Sequence, residues 1–213
     1  MALFWSAVTV VVLAVTLGGE DRSSEAGRAP YLPPVVEPHA SSGADPHGSD
    51  TSTSPDGRPV GKHLSRSRPL RLHIPKISVD APFVDLAIGG AGRLQPPPAG
   101  DTNLVGWYAK GASPGEPGTS IIAGHVDTAT SPAVFANLSE LQKGDRFQVA
   151  RADGRKASFV VDSVETFDKD TFPSERVYAD TPRAQVRLIT CAGDYDRQVR
   201  DYTANLVVFA HLD

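Results

Sequence analysis

Two apolar runs in this chain end on residues that can do nucleophilic chemistry. Val186-Arg187-Leu188-Ile189-Thr190 leads into Cys191, and Ala192-Gly193 follow at once. Thr119-Ser120-Ile121-Ile122-Ala123-Gly124 leads into His125, with Val126-Asp127 after it. Each run reads as a strand that ends on small residues and presents one titratable group. A thiol and an imidazole presented in this way are the parts of a Cys–His site: the ring takes the thiol proton and the sulfur attacks a carbonyl carbon. Cys191 is the single cysteine of the chain, so an intramolecular disulfide is excluded. A buried, inert thiol is the competing reading. Against it stand the small neighbours of Cys191, which leave the strand end open, and the charged stretch Asp194–Asp201, which does not suit a sealed core.

The other histidines are less suited. His39, His47 and His63 lie in a polar tether, His73 sits on an alternating strand with its ring toward solvent, and His211 is close to the C-terminus. Asp127 either steadies the His125 ring or caps a turn. The attacked carbonyl oxygen needs a positive donor, a role suited to arginine. Arg197 and Arg200 are the candidates, because the last strand brings their loop back beside Cys191; for either, an ion pair with Asp194, Asp196 or Asp201 is the alternative. Arg187 alternates with Val186 and Leu188 and is expected to point away from the core. No metal is expected, because the chain has one cysteine, and Asp168, Asp170 and Glu175 lack the regular spacing of a calcium loop. No cofactor is expected either: Gly89-Gly90-Ala91-Gly92 runs into Arg93-Leu94-Gln95-Pro96-Pro97-Pro98, which cannot open a phosphate-binding helix.

The elements that position these residues fall in the second half of the chain. The 213 residues allow one domain with appendages, and a formal net charge of −4 argues against a nucleic-acid partner. Residues 2–17 carry no charge and approach the length of a membrane-spanning helix. A membrane anchor, a cleaved signal peptide and a buried core element are the three readings. The anchor is preferred, since no Ala-x-Ala site closes the segment. It makes residues 1–18 the anchor and puts the rest on the extracellular side of the cell membrane. Residues 19–68, rich in Pro, Gly and Ser, read as a disordered linker that buries too little apolar surface to order itself. The basic cluster Arg58, Lys62, Arg66 and Arg68 at its end reads as a solvated charge run, or as a contact with anionic lipid or wall polymer.

The folded domain is expected over residues 69–213. Short strands are expected at 70–74, 81–86, 119–124, 146–151, 157–164, 186–191 and 205–210, with Asp153-Gly154 as a hairpin turn. Pro132–Leu141 is the best helix candidate: Pro132 suits a first helical position, and Val134, Leu138 and Leu141 fall on one face. Seven or eight strands with one or two short helices imply a mostly β fold, a closed barrel or a sandwich.

Several separate motifs, in order, resemble the sortase family. Leu188-Ile189-Thr190-Cys191 is similar to its Leu-x-Thr-Cys signature, and Gly124-His125-Val126-Asp127 to the segment that carries its histidine. Pro75-Lys76-Ile77 with Val79 and Ala81-Pro82, then Asn103–Tyr108, Pro114-Gly115 and Gly118-Thr119, extend the match across roughly residues 70–212. Cys191–Asp196 and Asn205–Ala210 resemble the class F branch, with class E as second choice. The resemblance implies an eight-stranded closed β-barrel. It also implies a cysteine transpeptidase that cleaves a Leu-Pro-x-Thr-Gly-like sorting signal between Thr and Gly. Cys191 then carries the thioacyl group, and His125 protonates the leaving amine and later deprotonates the incoming one, with the thiolate–imidazolium pair populated in a small fraction of molecules. The partners implied are secreted proteins with a C-terminal sorting signal and an amine of a peptidoglycan precursor. In that branch the arginine stands two residues before the Asn that opens the last strand; here the position is Thr203, so Arg200, closer to the final strand, is expected in the role, with Arg197 in reserve. A pilin-polymerising sortase, a hydrolase that passes its acyl group to water, and a non-catalytic secreted barrel that binds wall polymer or peptide are the alternatives.

Overall fold

The computed structural model describes residues 59–213; the expected anchor and most of the linker lie outside the described residues. The chain forms β1 (Pro69–Ile74), β2 (Val79–Leu86), β3 (Val105–Tyr108), β4 (Gly118–Gly124), β5 (Arg146–Arg151), β6 (Lys156–Asp168), α1 (Ser174–Tyr178), β7 (Ala184–Asp196) and β8 (Asp201–Leu212). The strands close into a barrel in the order β1-β2-β3-β4-β7-β8-β6-β5. The eight-stranded barrel is therefore as expected. Closure satisfies every strand edge, which an open sheet of the same strands would leave to solvent.

Alternation along the strands builds two apolar layers. Val186 and Leu188 of β7, Leu206, Val208 and Ala210 of β8, and Ile122 of β4 point into the barrel, where Phe147 and Phe159 stack at 5.3 Å. The intervening residues point outward: Ile189 of β7, Val207 and Phe209 of β8, Ile121 and Ala123 of β4. This outer layer is covered by Val177 and Tyr178 of α1 and by Leu86 and Leu94. Two hydrogen bonds pin the cover in place: the Thr119 hydroxyl donates to the Ala179 carbonyl (2.8 Å) and the Thr119 N–H to Asp180 Oδ1 (2.9 Å).

Four features differ from the sequence expectation. Pro132–Leu141 is not an α-helix but a series of turns ending in one 3-10 turn, Leu138–Glu140. Two of its backbone donors are taken by another segment: Ala133 N–H donates to Val126 O and Phe135 N–H to His125 O. Tertiary pairing overrides local propensity here, and Val134, Phe135, Leu138 and Leu141 are still buried. The helix that does form, α1, is five residues long, too short to show a period. β3 is four residues long and pairs parallel with β2. Finally, β7 and β8 run five and four residues further than expected, to Asp196 and from Asp201, and form a hairpin that continues past Cys191.

Residues 60–68, assigned to the linker by composition, lie along the barrel wall. Val60 N–H donates to Pro182 O (2.9 Å) and Leu64 N–H to Gly115 O (2.7 Å). Arg66 donates to the carbonyls of Ala109 and Gly111, pairs with Glu116 and lies over the Trp107 ring. Buried Arg151 donates to Ser65 O. Two members of the basic cluster, Arg66 and Arg68, thus have carboxylate partners on the barrel, Glu116 and Asp85.

Candidate active site

Parallel pairing of β4 with β7 sets Ala123 opposite Ile189. Two residues further along come His125, just past the end of β4, and Cys191, within β7, so the two sit at the same level and on the outer-layer side. Each is 4% exposed. Across the other edge of β7, Cys191 pairs with Asn205 of β8, and Asn205 pairs with Phe167 of β6. One outward-facing row therefore runs from Phe167 of β6 through Asn205 of β8 and Cys191 of β7 to His125, just past the end of β4.

Gly124 admits this arrangement because a side chain there would strike its neighbours. A Cβ at that position would lie 2.6 Å from Phe135 Cδ2 and 2.8 Å from Val134 Cγ1. The side chains of Phe135 and Val134 pack directly on it, and the Phe135 N–H donates to the His125 carbonyl (2.9 Å). The ring is held separately. His125 Nε2 lies 2.7 Å from the Pro97 carbonyl oxygen. A carbonyl only accepts, so Nε2 carries the proton and Nδ1 is the nitrogen left for proton transfer.

Around the sulfur the charges are mixed. Lys169 Nζ, just past the end of β6, lies 3.9 Å from Cys191 Sγ. The same ammonium donates to Asp201 Oδ1 at 2.7 Å. Burial pushes the Cys191 thiol up to about 11; Lys169 opposes the rise, and the carboxylates of Asp201 and Asp127 add to it. Asp127 accepts the Tyr202 hydroxyl, which ties β8 to the loop that carries His125. Burial first, then that bond and the nearby negative charges, raises Tyr202 to about 12. Asn205 is fully buried beside Cys191, and neither its amide nitrogen nor its oxygen has a partner among the described residues.

The expected site residues separate into two groups. Cys191 and His125 come to one level. Arg197 and Arg200 lie on the exposed β7–β8 turn, where Arg200 adopts a left-handed backbone (φ 55°). The structure sets a different cation, Lys169, against the sulfur. Thr203 has a structural partner: its hydroxyl accepts the Asp194 N–H (3.1 Å) where the hairpin bulges at Gly193. Arg187 points outward as expected but is buried, with its guanidinium 4.6 Å from the Phe209 ring centre. Asp127 bonds Tyr202. Sequence reasoning did not single out Lys169, Pro97, Tyr202 or Asn205. Lys169 and Pro97 reach the site through loop and side-chain geometry that leaves no local pattern. Asn205 was read only as the start of the last strand.

Residues 72–213 match the sortase domain family. No curated protein matches the chain in sequence. Solved structures with the same fold include sortase A from Corynebacterium diphtheriae, at 21% identity and a TM-score of 0.50, over 70% of this chain and 62% of that one. Sortase C1 from Streptococcus agalactiae matches at 22% identity and a TM-score of 0.52, over 70% and 68% of the two chains. Sortase C-1 from Actinomyces oris matches at 22% identity and a TM-score of 0.50, over 68% and 75%. The barrel, the thiol and imidazole at one level on neighbouring strands, and the family match over residues 72–213 agree: this chain belongs to the sortase family.

Proposed function

We propose that this sortase cleaves a Leu-Pro-x-Thr-Gly-like sorting signal between Thr and Gly and transfers the new Thr carboxyl group to an amine of a peptidoglycan precursor. Cys191 is the nucleophile. His125 takes the thiol proton at Nδ1 and gives it to the leaving Gly amine, then deprotonates the acceptor amine. The observation that carries this reading is the common level of His125, just past the end of β4, and Cys191, within its parallel neighbour β7. The raised thiol is consistent with a resting state in which the sulfur is mostly neutral. The stretches Cys191–Asp196 and Asn205–Ala210 support assignment to class F. The uncharged segment 2–17 supports a membrane anchor with the barrel on the extracellular side.

The test is peptide cleavage with and without an added amine. Wild-type protein given a Leu-Pro-x-Thr-Gly peptide and a glycine-based amine is expected to yield the Thr–amine ligation product. Loss of product in both Cys191→Ala and His125→Ala supports the pair. Undiminished product in either variant removes that residue from the mechanism.

A further inference from the structure

We infer that Lys169 is the positive group of this site: its ammonium stabilises the Cys191 thiolate and then donates to the carbonyl oxygen of the acylated residue as negative charge builds there. This rests on the transpeptidase reading above and assigns to a lysine just past the end of β6 the role expected of an arginine near β8.

Four observations carry it. Lys169 Nζ is 3.9 Å from Cys191 Sγ, within reach of the reacting atom. Its side chain is only 9% exposed, and a lysine withdrawn from water that far is normally held by a partner or by a function. Asp201, itself 19% exposed on the side chain, fixes the ammonium at 2.7 Å and so limits its motion. In the barrel order β4-β7-β8-β6, His125 follows β4 and Lys169 follows β6, so acid–base group and cation approach β7 from opposite sides. Meanwhile Thr203, where the family pattern has arginine, holds the Asp194 N–H in the hairpin bulge, and Arg200 stands on the exposed turn. Of the groups that bear on the thiol, Lys169 favours its charged form, whereas Asp201 and Asp127 oppose it; His125 and Tyr202 complete the surroundings.

The chemical step balances without consuming the lysine. The Cys191 proton passes to His125 Nδ1. The sulfur pair forms the S–C bond, and the carbonyl π pair moves onto oxygen. A Lys169 N–H donates to that oxygen and keeps its proton. When the pair returns, the C–N bond breaks and the Gly nitrogen takes the proton from His125. An ammonium fixed at that oxygen does most in a site shielded from water.

The experiment compares Lys169→Met, Lys169→Gln and Lys169→Arg in two assays: iodoacetamide alkylation of Cys191 across pH, and kcat and KM on a Leu-Pro-x-Thr-Gly peptide. Lys169→Met is expected to slow alkylation at pH 8 by about tenfold, as one unit of thiol pKa does. Its kcat is expected to fall by about 10²-fold, the scale of a lost oxyanion donor, with KM within a few-fold. Lys169→Arg recovers most of both, and Lys169→Met falls further than Arg200→Ala. Lys169→Gln keeps a donor for Asp201 without the charge, and repeats the test if the Met variant loses its cooperative melt. Wild-type alkylation and kcat in a folded Lys169→Met or Lys169→Gln overturn the inference while Cys191 acylation still stands. Slowed alkylation in those variants, with no peptide turnover by wild type, defeats the transpeptidase reading and leaves the Lys169–thiolate interaction standing.

Discussion

His125 Nε2 and the carbonyl oxygen of Pro97 are 2.7 Å apart, although 28 positions separate the two residues in the chain. The contact fixes both the tautomer and the ring's orientation from the β2–β3 connection. The three consecutive prolines Pro96–Pro98 make that connection stiff, because each locks its own φ. The neutral ring is therefore expected to carry its proton on Nε2. Nitrogen-15 NMR of histidine-labelled protein reads this directly; a neutral His125 protonated on Nδ1 contradicts it.

The thiol supplies a pH dependence with a definite sign. Its native value, about 11, lies above the unfolded value of 9.0. Between those limits the native state holds more protons than the unfolded chain, so stability falls as pH rises from about 9 to about 11. Two units correspond to on the order of 2–3 kcal/mol. Denaturant titrations of wild type and Cys191→Ala across that window are expected to converge as pH rises, the wild type losing the larger amount. Parallel profiles contradict a raised thiol.

Gly124→Ala is expected to lower both stability and turnover. The added methyl would lie 2.6 Å from the Phe135 ring, in a packed layer with no room to yield cheaply. Overpacking of this kind costs about 1–3 kcal/mol. Because His125 is the next residue, the adjustment also moves the ring, so kcat is expected to fall by more than the folded fraction explains. A melting curve with a kinetic assay on the folded variant checks this; unchanged melting and kcat exclude the close approach.

Much of the barrel was legible because its strands are written in alternation. The runs at 70–74, 119–124 and 146–151 match β1, β4 and β5 to within a residue, and Asp153-Gly154 closes the β5–β6 hairpin. The thiol and the imidazole were legible for a related reason: each ends an apolar run on small residues. Elements set by tertiary contact were not. Val134, Leu138 and Leu141 share a helical period, yet the Ala133 and Phe135 N–H groups of that segment go to the carbonyls of Val126 and His125. The hairpin beyond Cys191 is polar and carries no apolar alternation, so its length was hidden. Lys169 was the hardest case, since its position beside the sulfur follows from the extent of β6, a long side chain and an ion pair with Asp201.

The most direct measurement is intact-mass analysis, followed by peptide mapping, of the protein quenched in acid during reaction with a Leu-Pro-x-Thr-Gly peptide. An adduct equal to the peptide acyl group up to Thr, mapped to Cys191 and absent in Cys191→Ala, is the predicted result. Turnover of the peptide with the acyl group on another residue, or undiminished turnover in Cys191→Ala, would contradict the account.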